Sequence, residues 1–135
     1  MGRSILAVIA GIIAGGTANF VLIALSWVLY PLPDGVNLSD PATMKTYTES
    51  LPVSAFLLIV VAHASGALVG GFLAALLGRG SPVVLGTIMG VFFLLGGVAN
   101  VVQLPCPLWF AVVDLVSYVP CGILGAKLAP RRING

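Results

Sequence analysis

The chain has 135 residues, of which 59% are hydrophobic and only 7% are charged, and its formal net charge is +2. A soluble domain carries about 25% charged residues, so this composition excludes a water-soluble globular fold and predicts an integral membrane protein. The six basic residues form no cluster interleaved with aromatic residues, which argues against nucleic acid as a partner.

The first apolar segment runs from Ile5 to Tyr30 without a charged residue. A spanning helix needs about 20 apolar residues, whereas the apolar part of a signal peptide has about 7–15. We therefore expect a retained transmembrane helix over about 5–30, ended by Pro31 and Pro33.

The loop 31–52 is the one sizeable stretch expected outside the membrane. Within it, Asp40 followed by Pro41 is a typical helix start, with an N-cap and a proline in the first turn. We predict a short surface helix over 41–50 whose Met44, Tyr47 and Leu51 share one face. This face would rest on the bundle or on lipid, and the loop is interpreted as a solvated cap rather than a ligand lid.

Three further apolar segments follow at about 53–77, 83–102 and 108–128, separated by turns rich in glycine and proline. Each is long enough to cross a bilayer. The sequence therefore predicts an all-α fold, a single transmembrane domain over 1–135 that forms a four-helix bundle.

The charges are distributed unevenly between the two ends of this bundle. One side would hold Arg3, Arg79, Lys127, Arg131 and Arg132. The other side would hold Lys45 with the acidic residues Asp34, Asp40 and Glu49. Because basic residues accumulate on the cytoplasmic side, we expect both termini to be cytoplasmic.

An internal duplication into two helical hairpins is an open alternative to an unrelated series of helices. Ala14–Val21 and Leu95–Val102 share identical residues at five of eight positions, including Asn19 and Asn100. Small apolar residues align easily in any membrane protein, so only the two asparagines carry this hypothesis.

Glycines recur on one face of each predicted span at spacings that allow close helix packing. These packing residues are Gly11, Gly15, Gly66, Gly70, Gly86, Gly90 and Gly125. Such faces pack helix on helix, either within the subunit or between subunits.

Asp114 is the acidic residue inside a predicted span, where a carboxylate costs about 2.5–3.5 kcal/mol on insertion scales. Tyr118 shares its helical face, and Asn100 is expected at a similar depth. The functional interpretation is a proton or cation site. The structural interpretation is a buried carboxyl that locks the third span to the fourth.

His63 is the single histidine and lies near the middle of the second span. We expect a structural hydrogen bond to Asn19 or Tyr118, rather than a metal or haem site, because no second ligand is suitably spaced. Asn19 and Asn100 are interpreted as hydrogen-bonding contacts between helices. Together with Asp114 and Tyr118, these residues form a predicted polar seam inside the membrane.

No metal, cofactor or catalytic activity is expected. The chain offers no pair of metal ligands, no nucleophile beside a base and no glycine-rich loop outside the membrane. Cys106 and Cys121 lie too far apart in the predicted helix to be joined, so both are expected to be free thiols.

Several short motifs resemble a group of small bacterial four-helix membrane proteins of unassigned function. They are Tyr30-Pro31, Leu38–Pro41, Ala62-His63 with Gly66, Gly70 and Gly71, and Pro107–Phe110 with Asp114 and Tyr118. The resemblance covers nearly the whole chain and implies the bacterial cytoplasmic membrane, but it implies no activity.

Two functions are therefore compared. The favoured prediction is a structural or accessory subunit, packed through glycine faces in a homo-oligomer or a larger membrane complex. The alternative is a small transporter or channel for a proton, a cation or a small solute. A polar cavity joining Asn19, His63, Asn100 and Asp114 would favour transport, whereas a dry seam with outward-facing glycines would favour the accessory role.

Overall fold

The computed structural model describes residues 2–37 and 39–130, which fold into helices and connecting turns without a strand. The helices are α1 (Gly2–Leu29), α2 (Pro41–Ser50), α3 (Val53–Leu77), α4 (Pro82–Gln103) and α5 (Leu108–Leu128). The all-α class is confirmed. The described chain has five helices rather than four, since the short α2 joins the four long ones as a separate element.

The four long helices α1, α3, α4 and α5 have 21 to 28 residues, and each is apolar enough to cross a membrane. At 1.5 Å per residue, even the shortest matches a hydrocarbon layer of about 30 Å. Leu38, Arg131 and Arg132, on which parts of the predicted resemblance and orientation depend, lie outside the described residues.

Helix α3 is the centre of the bundle. It packs against α1 on one side and α5 on another, while α4 packs against both α5 and α3. In contrast, α1 meets α4 at few positions, and in the described part of the chain it makes no contact with α5. The bundle is therefore an open arrangement, with α1 attached mainly through α3.

Glycines set the spacing of the helices in the half of the bundle away from α2. A Cβ atom at Gly11 would lie 2.6 Å from the carbonyl oxygen of Gly70, and one at Gly86 would lie 2.6 Å from that of Gly122. A Cβ atom at Gly125 would collide with the carbonyl of Leu68. The backbones therefore touch directly, as small residues allow in membrane bundles.

The buried core lies in the same half. Ala74, Leu85 and Met89 form its centre, with partly buried apolar side chains packed around it. At this end Arg3 donates from Nε to the carbonyl of Leu77 at 3.0 Å, which fixes the start of α1 beside the α3–α4 turn.

Local sequence signals explain where α2 and α4 begin. Asp40 caps α2 by accepting hydrogen bonds from the backbone N–H groups of Ala42 and Thr43, each at 3.3 Å. Pro82 occupies the first turn of α4, and Gly80 before it has a φ of +121°, which a side chain would disfavour.

The two helical hairpins that the duplication hypothesis aligns do not pack in the same way. Gly15 packs closely on α3, whereas its aligned partner Gly96 has no atom within 4 Å of the position of a Cβ. The aligned Asn19 and Asn100 do border one common cavity. The duplication thus stays a prediction from sequence.

Candidate functional site

A buried pair joins α3 to α5 near the middle of the bundle. The Nδ1 atom of His63 lies 2.8 Å from Oδ1 of Asp114, and the hydroxyl of Tyr118 donates to Oδ2 of Asp114 at 3.2 Å. Asp114 is 0% exposed and His63 is 8% exposed. Both carboxyl oxygens are therefore satisfied, which a carboxyl buried in an apolar environment requires.

The ring of Tyr118 is positioned by its neighbours on two other helices. It stacks on His63 with ring centroids 5.7 Å apart and an interplanar angle of 25°. On α4, the missing side chain of Gly97 leaves room for this ring, because a Cβ there would lie 2.5 Å from Tyr118. Gly97 therefore contributes to the site through its size alone.

One predicted hydrogen-bonding partner is corrected by this geometry. His63 was expected to bond to Asn19 or Tyr118, but it bonds to Asp114, and Tyr118 contacts it by stacking instead. Asn100 was expected at a depth similar to that of Asp114, and both residues border the same cavity. The physical reason is that ionisable groups buried in a membrane helix pair first with one another.

The two asparagines do not join helices by hydrogen bonds as predicted. Oδ1 of Asn19 is buried and has no partner among residues 2–37 and 39–130. Asn100 is exposed, although it lies in a membrane-length helix. Each borders the same cavity, one from α1 and the other from α4.

This cavity has a volume of about 590 Å³ and occupies the half of the bundle next to α2. Volumes of about 300–1,000 Å³ are typical of small-molecule sites. The walls come from α1, α3, α4 and α5, and the pair of His63 and Asp114 lies on its border. Aromatic side chains are frequent in the lining: Phe20, Trp27, Tyr30, Tyr47, Phe56 and Phe110.

The cavity ends where the helices come together. Just beyond Asn19 towards the opposite end, a Cβ on Gly15 would collide with the carbonyl of Gly66 and lie 2.7 Å from the ring of Phe93. One turn further, Gly11 meets Gly70 and Met89 in the same way. This close packing separates the cavity from the opposite end of the bundle.

On its lateral side the cavity has a gap that we call the α1–α4 opening. Phe20 and Trp27 of α1 and Leu104 after α4 border it, with exposed fractions of 63%, 54% and 43%. Helix α1 makes few contacts with α4, and where it meets α4, Gly11 and Gly15 lie against the side chains of Met89 and Phe93. The opening therefore lies where exposed apolar side chains line the cavity between two helices that touch little.

Helix α2 covers the end of the cavity without packing closely on another helix. The side chain of Met44 in α2 is buried, and the hydroxyl of Tyr47 donates to the carbonyl of Tyr30 at 3.0 Å. The hydroxyl of Tyr30 in turn donates to Ser54 at 2.8 Å. Burial raises the pKa of the Tyr47 phenol, so this donor stays protonated at neutral pH.

Cys106 is a lining residue that the sequence did not single out. It lies in the α4–α5 turn, borders the cavity and is a free thiol. Burial, and then the charge of Asp114, raise the pKa of this thiol above its ordinary value. The thiol makes no hydrogen bond to His63, so the described residues do not form a nucleophile beside a base.

The site can hold a proton or bind a small molecule. No group of three metal-ligating side chains occurs in the described ranges, and His63 with Asp114 alone would leave a metal ion short of ligands. A histidine bonded at Nδ1 to a carboxylate presents Nε2 as its remaining polar atom. The pair therefore adds an ionisable group to the edge of a mainly apolar chamber.

Comparison of the chain with protein-family models, with curated proteins and with solved structures found no match. The geometry of the cavity and of the pair at its edge is accordingly the basis for the function.

Proposed function

We propose that this protein is a small-solute transporter of a bacterial cytoplasmic membrane, with the cavity as its binding site. The observation that carries the proposal is a chamber of small-molecule size that borders a buried His63–Asp114 pair. Large pockets with a few convergent polar groups are the usual form of a ligand site. Ionisable residues inside a membrane bundle commonly mark a pathway for a solute or a proton.

The closed half of the bundle supports a transporter rather than a channel. The cavity stops at the packed glycines, so residues 2–37 and 39–130 enclose no continuous pore in this conformation. Transporters bind their solute in a site that is open to one side at a time. A cavity that is open in one half of the bundle and sealed from the other half fits one state of such a cycle.

The proposed orientation places α2 outside the cell and both termini in the cytoplasm. Arg3, Arg79 and Lys127 lie at the end opposite to α2, whereas Asp34, Asp40 and Glu49 lie at the α2 end with Lys45. The positive-inside rule assigns the basic end to the cytoplasm. The binding cavity would then open towards the outer half of the membrane.

The accessory role predicted from the glycine faces needs those faces to be free for a partner. Gly11, Gly15, Gly66 and Gly70 instead pack α1 on α3 within the chain. Gly86, Gly90 and Gly125 likewise pack α4 or α3 on α5. The geometry consequently favours the solute-binding function over the accessory one.

Cys106 allows a direct test in intact cells. In a Cys121→Ser chain, we expect a membrane-impermeant maleimide added outside to label Cys106 slowly but completely, because the thiol borders the cavity. The matched Cys106→Ser chain retains Cys121, which does not line the cavity and should stay unlabelled.

Solutes that slow this labelling are then tested for uptake into proteoliposomes. Accumulation of a solute that depends on the protein supports a transporter. A solute that binds in the cavity but is not taken up would indicate a receptor instead. A Cys106 that is labelled only from the cytoplasmic side, or not at all, would contradict the proposal.

A further inference from the structure

The charge of the cavity indicates which molecules it can hold, and the following inference rests on the proposed function. Asp114 is the single acidic residue on its border, and no lysine or arginine lies among the described lining residues. The cavity therefore has negative or neutral character, depending on the protons bound by His63 and Asp114. An anionic solute would meet an unfavourable charge without a compensating cation.

The carboxylate of Asp114 lies in an apolar environment, where its negative charge has to be balanced by one positive charge. A lone carboxylate in a medium of low dielectric constant is costly unless a cation accompanies it. One proton bound by His63 and Asp114 provides that charge and makes the pair neutral. A cationic ligand in the cavity would provide it equally well, so the proton and the ligand are alternatives.

The residues that line the cavity are suited to a cationic ligand. Six aromatic side chains surround the chamber, and the faces of such rings attract organic cations. The aromatic rings and the nearby carboxylate together favour a positively charged guest.

The α1–α4 opening indicates that this guest is lipophilic. Phe20, Trp27 and Leu104 border the opening with exposed apolar surface. The cavity volume of about 590 Å³ lies in the range that is typical of small-molecule sites, so a small amphiphile fits.

We propose that the cavity binds a lipophilic organic cation and that this cation displaces one proton from the His63–Asp114 pair. The exchange balances, because one positive charge enters as one leaves and no bond other than that to the proton is broken. The cation reaches the cavity from the membrane through the α1–α4 opening. Repeated on both sides of the membrane, this exchange would couple outward movement of the cation to inward movement of the proton.

The other titratable groups near the pair do not interfere at neutral pH. They are Tyr118 on α5, Cys106 in the α4–α5 turn, Tyr47 on α2 and Tyr30 at the end of α1, while α1 and α4 also contribute the neutral Asn19 and Asn100. Burial raises the pKa of Cys106 and of Tyr47, so both stay protonated as the pH changes around neutrality. A pH dependence in that range therefore reports on the pair.

The test uses two probe ions of similar shape and opposite charge, tetraphenylphosphonium and tetraphenylborate. Equilibrium dialysis measures their binding to the parent protein in lipid nanodiscs at about pH 6 and about pH 8. We expect saturable binding of one phosphonium ion per chain, strengthened by up to about tenfold per pH unit as one proton is displaced. Tetraphenylborate should not bind saturably.

Variants assign the effect to the pair. Asp114→Asn should weaken phosphonium binding at least tenfold and abolish its pH dependence. Thr87→Val is the control on α4, because the Thr87 hydroxyl bonds to the carbonyl of Val83 in its own helix and does not line the cavity. If Asp114→Asn does not fold, the comparison of the two ions on the parent protein decides the question alone.

The possible failures are distinguishable. Equal binding of both ions, or phosphonium binding that ignores pH, would overturn the cation–proton exchange. If neither ion binds but a neutral or anionic solute slows labelling of Cys106, the ligand class is wrong and the transport proposal stands. If neither ion binds and Cys106 is also unreachable from outside, both proposals fail.

Discussion

The two halves of the bundle are built from similar helices but pack in different ways. Away from α2, glycines bring backbones into direct contact, as at Gly125 on Leu68 and at Gly11 on Gly70. Next to α2, aromatic side chains separate the same helices and leave a cavity of about 590 Å³. The difference shows that one helix bundle can combine close backbone contact at one end with an open chamber at the other.

The two halves also differ in how they can change their conformation. Backbone contacts through glycine have no side chain that can change its rotamer, so the glycine-packed half can change only by moving whole helices. The cavity half contains side chains that can turn and a short helix without close helix packing. Binding should therefore alter the α2 half first, which the following substitutions test.

The largest effect is expected from Gly125→Leu, because its side chain would collide with the backbone of Leu68. A backbone cannot yield as a flexible side chain can, so we expect loss of the folded protein. Gly96→Leu is the matched control in α4, since nothing lies within 4 Å of its Cβ position. Thermal unfolding in detergent distinguishes them, and a folded Gly125→Leu chain would refute the packing described for this half.

The second prediction concerns the pair that borders the cavity. Asp114→Leu should destabilise the fold by about 3–5 kcal/mol, because it leaves His63 and Tyr118 without their buried partner. The double variant His63→Phe/Asp114→Leu should recover part of this loss, since both polar groups are then gone. A double-mutant cycle of unfolding free energies measures the coupling, and additive effects would show that the two side chains do not interact.

The third substitution is expected to stabilise the protein, whereas the first two destabilise it. Asn19→Leu removes a buried oxygen without a partner and should stabilise the protein by about 1–3 kcal/mol, while weakening phosphonium binding. Thr17→Val on the same helix is the control, because the Thr17 hydroxyl bonds to the carbonyl of Ile13 and lies outside the cavity. A destabilised Asn19→Leu chain would show that the amide has a structural partner.

A smaller effect is expected where α2 covers the cavity. Tyr47→Phe removes one hydrogen bond to the Tyr30 carbonyl and should cost about 1 kcal/mol. We expect faster hydrogen exchange in α2 and an unchanged unfolding temperature of the long helices. Thr46→Ala is the control on the exposed side of α2. Equal exchange in both variants would mean that Tyr47 does not hold this helix.

The smallest effect concerns the reactivity of Cys106. Because burial and the charge of Asp114 raise the pKa of this thiol, its thiolate forms only above the ordinary pH range for cysteine. In the Cys121→Ser chain, alkylation should be slow at neutral pH and accelerate as the pH rises through the raised pKa. Asp114→Asn should shift the pH–rate profile to lower pH, and an unchanged profile would show that the carboxylate does not act on Cys106.

The sequence predicted the elements of this fold well because each is marked locally. Prolines and glycines delimit the apolar segments, and Asp40 with Pro41 marks the start of α2. Asp114, His63 and Tyr118 were all selected as candidates, since polar residues are conspicuous in an apolar span. Their pairing could have been anticipated, because His63 is the one histidine and Asp114 the one acidic residue within the long helices.

The cavity itself could not be predicted from the sequence. In the sequence, Phe20, Trp27 and Phe110 look like ordinary aromatic residues of apolar helices, and only the packing of the helices brings them to one cavity. Whether a glycine packs against another helix also depends on this long-range geometry. Gly15 and Gly96 have similar neighbours in sequence, yet one packs against a backbone and the other contacts nothing.

Nuclear magnetic resonance of protein labelled with [15N]histidine tests the central claim most directly, because His63 is the single histidine of the chain. The account predicts an Nδ1 signal that changes in Asp114→Asn and an Nε2 signal that changes when tetraphenylphosphonium occupies the cavity. An imidazole whose two nitrogen signals ignore both the substitution and the ion would contradict a binding cavity bordered by the His63–Asp114 pair.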